Sequence, residues 1–219
     1  MTTLAAGSSA RPRREAAVLA GYRDDGPLAR ALGIAGARLA LPPLFLIAAG
    51  AAPLLAVMIA RGEGVSAKAT VALVVGWFVV AAGASSGRPH GDRLAWAAPP
   101  ALRAVEYAAI VWIGALAGGS SPAAALALLC ALAFHHYDVF YRRAHQGHPP
   151  PAWVGYAAGG WDGRLVAAVA LWAVGALPAA YFAAAGVLGV LFVAESAASW
   201  RRAERTRPGD PYGDDEGAP

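Results

Sequence analysis

Apolar runs fenced by arginine constrain this chain more than any other feature. The runs cover residues 39–60, 69–84, 102–117, 122–142 and 161–200. About 20 apolar residues in a helix span a hydrocarbon core of about 30 Å. In lipid the backbone must satisfy its own hydrogen bonds, so a run of this kind is read as a helix. Hydrophobic residues make up 58% of the chain and charged residues only 15%, whereas a soluble domain carries roughly 25% charge. The composition excludes a disordered chain and argues against a water-soluble enzyme. The net charge of +4 arises from residues that flank the apolar runs. They form no free-standing basic patch, so no nucleic-acid partner is expected.

The final run is too long for one crossing, because 40 residues in a helix would extend about 60 Å. It must fold back, with Gly175 and Pro178 or Gly186 and Gly189 as rival turn sites. The reading is therefore an all-α polytopic membrane protein with six transmembrane helices and an N-terminal interfacial helix. Residues 1–27 form a disordered cytoplasmic tail and 28–38 the interfacial helix. Residues 39–200 form the six-helix membrane domain, and 201–219 a second disordered tail. With both termini in the cytoplasm, every one of the 18 Lys and Arg residues except Arg61 and Lys68 lies on the cytoplasmic side, as the positive-inside rule demands. The N-terminal charges from Arg11 to Arg30 break any signal-peptide pattern. The expected location is the cytoplasmic membrane. Ser121 is read as the N-cap of the fourth span, Cys130 as a packing residue, and the seven tryptophans as an interfacial belt.

Within these spans stand groups that lipid does not solvate. Glu106, Asp138, Asp162 and Glu195 all fall toward the cytoplasmic ends of their helices. A carboxylate at a helix centre costs about 2.5–3.5 kcal/mol on insertion scales. Arg103 lies one turn before Glu106. The fourth span carries His135, His136, Tyr137, Asp138, Arg142 and Arg143, and His135, Asp138 and Arg142 share one stripe, expected to face the bundle interior. His145 and His148 follow in the next loop, then Trp161, Asp162 and Arg164. One reading makes this layer a cytoplasm-facing cavity. Glu106, Asp138, Asp162 and Glu195 would ligate Mg²⁺ or Mn²⁺. Asp138, His135, His136 and Asp162 would act in catalysis, and Arg103, Arg142, Arg164 and Tyr137 would hold a phosphate-bearing substrate. The plain alternative is that Arg103–Glu106 and Asp138–Arg142 are neutralising pairs at the interface.

Two fragments partly match the signature of CDP-alcohol phosphotransferases. Asp25-Gly26-Pro27-Leu28-Ala29-Arg30 matches its DGxxAR portion, and Asp162-Gly163-Arg164-Leu165-Val166-Ala167 its DGxxA portion. Tyr22 and Gly159 stand where that signature has its leading aspartate, and neither fragment is followed by its second half. A broader likeness runs through the segments 22–30, 99–107, 134–138 and 159–164. Together they resemble an actinobacterial membrane domain of unknown function, often found C-terminal to nucleotidyltransferase and CDP-alcohol phosphotransferase domains. The resemblance implies membrane lipids as ligands, a nucleotidyltransferase or CDP-alcohol phosphotransferase as partner, and a place in phospholipid head-group metabolism, as an enzyme or as a non-catalytic membrane anchor or scaffold.

Overall fold

The computed structural model describes residues 22–60, 67–88, 94–143 and 150–205. Most of the tails, Arg61, Arg93, His145 and His148 lie outside the described residues. What is described is helical, without a strand. Helix α1 spans Pro27–Ala35 and runs into a 3-10 turn, Gly36–Arg38. Then come α2 (Pro43–Ile59), α3 (Lys68–Gly83), α4 (Ala98–Ala117), α5 (Ser121–Tyr141), the short α6 (Ala152–Ala157), α7 (Gly160–Ala173) and α8 (Leu177–Arg205). Prolines open α1, α2, α4 and α5 in their first turns, where no backbone N–H is needed. The N-cap of α5 is Ser120 rather than Ser121, and neither hydroxyl caps the helix.

The expected turn in the last apolar run falls at Gly175, where the backbone is left-handed. Helix α8 then continues unbroken past Gly186 and Gly189 and beyond residue 200. By length and composition, α4, α5 and residues 177–202 of α8 are able to cross a membrane. Helix α1 with its 3-10 turn and α2 pass the same test only as a pair, bent by 117° between them. The expectation of six independent spans is thus reduced among the described residues. Helix α3 is apolar but has 16 residues, and α7 has 14 with Asp162 and Arg164 in its first turns. At 1.5 Å per residue α7 reaches about 21 Å, short of the hydrocarbon thickness.

The helices alternate in direction. Trp77 of α3 donates to the Ala49 carbonyl of α2 at 3.1 Å. Lys68 at the start of α3 donates to the Ala173 carbonyl at the end of α7 at 2.7 Å. Helices α5 and α8 run parallel, with His135 stacked on Phe192 (4.1 Å) and Tyr141 against Trp200 (5.9 Å). Alternation and these contacts bring the charged turns of α4, α5, α7 and α8 to one end of the bundle. The core between them is built from buried Phe78, Leu102, Ile110, Ile113, Leu132, Leu165 and Trp161. Trp161 is fully buried against Phe78 and not part of a belt, whereas Trp77, Trp96 and Trp153 are exposed. Cys130 is also exposed and does not pack in the core.

Residues 22–27, expected in a disordered tail, dock into the charged end. Arg23 is fully buried, donating to the Ser85 hydroxyl at 3.0 Å and to Asp25 at 2.9 Å. Asp25 also accepts from the Ser86 hydroxyl (2.9 Å) and the Trp161 indole (2.8 Å). The docking depends on two glycines in contact. A Cβ on Gly26 would lie 2.4 Å from the Gly159 carbonyl oxygen, and one on Gly160 would lie 2.2 Å from the Gly26 nitrogen. Gly160 has φ +64°, in the left-handed region. Replacing Gly26 with Ala should therefore cost about 1–3 kcal/mol through overpacking. A thermal or denaturant unfolding curve of the purified variant checks it, and an unchanged curve would show that the segment does not dock.

Candidate functional site

A guanidinium buried among helices must be neutralised and hydrogen-bonded where it stands. Arg164 on α7 meets that demand with three partners. Its Nε donates to Glu106 Oε1 at 2.6 Å, one terminal nitrogen to Asp24 Oδ2 at 2.8 Å, and the other to the Ala158 carbonyl at 3.1 Å. Glu106 on α4 is fully buried, and its second oxygen accepts from Arg103 at 2.6 Å. The other terminal nitrogen of Arg103 donates to the Tyr22 carbonyl at 3.2 Å and to the Arg23 carbonyl, and lies 3.9 Å from Asp24. Two arginines and two carboxylates thus form one neutral lattice joining α4, α7 and the segment before α1.

His136 on α5 completes the lattice. Its Nε2 lies 3.4 Å from Asp24 Oδ2, and its Nδ1 lies 2.6 Å from the Tyr107 hydroxyl. An ionised carboxylate only accepts, so Nε2 carries the hydrogen in the neutral ring. Nδ1 is then the acceptor and Tyr107 the donor. Burial works to raise the Asp24 pKa, but Arg164, the His136 hydrogen bond and Arg103 together hold it well below the usual carboxylate range. Asp24 stays ionised at every physiological pH.

A cavity of about 420 Å³ opens beside this lattice. Asp24, Arg103, His135 and His136 supply its polar lining, and Trp96, Pro99, Pro100, Val139 and Phe140 its apolar lining. Tyr22 also lines it, with its ring 5.6 Å from that of Phe140. The Arg143 guanidinium stands over the Tyr22 ring, 5.8 Å from its centroid. The Nε hydrogens of Arg103 and Arg143 are buried with no partner among the described residues.

The expected site residues separate into three groups. Arg103, Glu106, His136 and Arg164 meet in the lattice, with His135 on the cavity wall. Asp138, Arg142 and Glu195 form a second group that fastens α5 to α8. Arg142 Nε lies 3.0 Å from Asp138, and its terminal nitrogens reach Glu195, one of them at 3.3 Å. Ser196 donates to Asp138 at 2.9 Å. Asp162 stands alone as a cap for α1. Its oxygens accept from the backbone N–H of Gly26 at 2.6 Å and Ala29 at 3.0 Å, filling orphan donors that the Gly26 N-cap leaves open. The stripe of His135, Asp138 and Arg142 is buried, as its polarity requires, while Tyr137 on the same helix is 67% exposed and outside the cavity.

The four carboxylates assigned to Mg²⁺ or Mn²⁺ therefore do not converge. Among the described residues no three His, Cys, Asp or Glu side chains are grouped to hold a metal ion. Each of the four is already committed to arginines, a hydroxyl or backbone N–H groups. Asp24 and Tyr107, which the structure joins to this lattice, are not among the expected site residues. Asp24 precedes the DGxxAR fragment, and that fragment was the available signal for it. Tyr107 had none beyond its place next to Glu106.

The match to known sequences covers residues 13–219. The chain belongs to a family of unknown function, DUF5941. No curated protein and no solved structure matches it. Membership in the DUF5941 family accords with the domain of unknown function that the sequence resembles, and it carries no assigned reaction.

Breaking the lattice should be costly. Glu106→Gln leaves the buried Arg164 and the part-buried Arg103 sharing one carboxylate, and losing one partner of a buried pair costs about 3–5 kcal/mol. Arg202→Ala, at a side chain 64% exposed and 3.8 Å from Glu195, should cost about 1 kcal/mol or less. Denaturant titration of both variants in detergent checks the contrast, and equal effects would contradict it.

Proposed function

We propose that this chain is an integral protein of the cytoplasmic membrane that holds a phosphate-bearing lipid or lipid precursor in the cavity beside Arg103. Six helices, α2, α3, α4, α5, α7 and α8, would form the membrane domain. The shorter ones would be sheltered by their neighbours, with α1 lying along the inner interface and both termini in the cytoplasm. The distribution of Lys and Arg supports that orientation.

One observation carries the reading. Arg103 lines a cavity whose other polar lining is Asp24, His135 and His136 and whose opposite side is aromatic and aliphatic. That is the arrangement an amphiphile needs at headgroup depth. The anionic preference follows from charge accounting. Arg103 and Arg164 are balanced by Asp24 and Glu106, whereas Arg143 has no carboxylate partner among the described residues. Arg143 stands over Tyr22, outside the cavity lining, and its unbalanced charge a short way off would favour an anion facing Arg103. The role would be to present a head-group substrate. The resemblance to domains fused with nucleotidyltransferases and CDP-alcohol phosphotransferases supplies the partner class. No metal ion enters this reading, because the carboxylates are occupied.

A second reading, a non-catalytic anchor or scaffold, is favoured by the Asp138–Arg142–Glu195 cluster and the Asp162 cap, which have purely internal partners. Lipid binding separates the two. The full chain in detergent, examined by native mass spectrometry, should retain phosphatidylethanol in preference to diacylglycerol. Arg103→Lys keeps the charge but loses the planar fork of donors, and should weaken that retention about tenfold, the worth of one charge-assisted hydrogen bond. Equal retention of the two lipids would leave only the anchor.

A further inference from the structure

The cavity contains an acceptor as well as donors. Asp24 lines it and is held there at a price in backbone strain. It has φ +51° and is the only non-glycine residue with positive φ among the described residues. A side chain in the left-handed region persists where its surroundings fix it, and such residues gather at functional sites. Three contacts fix Asp24. The Trp161 N–H donates to its carbonyl at 3.2 Å. Arg164 and His136 both engage Oδ2, at 2.8 and 3.4 Å. His136 is itself oriented by Tyr107, so the ring has no nitrogen left for a ligand. The carboxylate is thereby aimed and kept ionised beside Arg103, whose terminal nitrogen lies 3.9 Å away.

Resting on the function proposed above, we infer that the site selects phosphodiesters whose head group carries a free hydroxyl, as in a polyol phosphate. Arg103 takes a phosphate oxygen, and Asp24 accepts the hydroxyl hydrogen; both line the cavity. An ionised carboxylate accepts and never donates, so its ligand must bring a hydrogen. An ammonium head group also brings hydrogens, but cations already occupy the surroundings of this carboxylate. Arg164 lies 2.8 Å from it and Arg103 3.9 Å from it, and a third cation would meet repulsion from both. A quaternary ammonium offers no N–H at all. A hydroxyl satisfies the acceptor and adds no charge.

Four lipids test the assignment on the unmodified full chain by native mass spectrometry. Phosphatidylglycerol and phosphatidylethanol are phosphodiesters of equal charge that differ in their hydroxyls. Phosphatidylethanolamine supplies the ammonium, and diacylglycerol lacks phosphate. Phosphatidylglycerol should bind about tenfold more tightly than phosphatidylethanol, since a hydrogen bond to a charged group is worth about that factor. Asp24→Asn should bring the two phosphodiesters to equal affinity, the ratio between them being the readout. Asn tolerates the left-handed region, and the comparison on the unmodified chain stands whether or not the variant folds. Equal binding of the two phosphodiesters, both above diacylglycerol, would overturn the hydroxyl assignment and leave the phosphate site standing. Phosphatidylethanolamine matching or exceeding phosphatidylglycerol would overturn it in favour of an ammonium. No preference over diacylglycerol would overturn both.

Discussion

The buried guanidinium of Arg164 is the constraint around which the charged end is arranged. In so apolar a chain an unpaired charge at this depth would cost several kcal/mol. Arg164 therefore has to collect a carboxylate from α4, a carboxylate from the segment before α1 and a carbonyl from the turn before its own helix. Arg103 then follows, because Glu106 has a second oxygen to satisfy. His136 follows from Asp24, and Tyr107 from His136. The cavity exists because this chain of obligations pulls α4, α5 and α7 together at one level while Trp96, Pro99 and Phe140 keep its other side apolar.

The same logic explains why carboxylates at one depth do not make one site. Asp162 faces the open end of α1, where backbone N–H groups need an acceptor more than a metal would. Asp138 and Glu195 face each other across the parallel pair α5 and α8, with Arg142 between them. Each carboxylate is used where the nearest unmet donor stands. Of the charged side chains, only Asp24 and Arg103 line the open cavity, and for that reason the proposed function is placed there and not on the larger set.

Much of the architecture was legible in one dimension. Hydropathy located the long helices to within a few residues, because each is a separate apolar segment, and gave no sign of the short α6. Glycine and proline marked the turns, and the charges marked a common depth. The stripe of His135, Asp138 and Arg142 was legible too, since helical periodicity alone puts these residues on one face.

Pairing was not legible, because it depends on how each helix is rotated and which neighbour it meets. Arg164 is two residues from Asp162 yet turns to Glu106 and Asp24 instead. Tyr137 is next to His136 and points away from the cavity. Asp24 stands before the first apolar run, in a stretch with the composition of a tail. Its role arises only because glycines at 26 and 160 let two distant backbones touch. Local sequence fixes what each residue is able to do and how deep it sits. Tertiary packing decides which charge meets which, because neutralisation in an apolar interior acts over a few ångströms of space and is indifferent to distance along the chain.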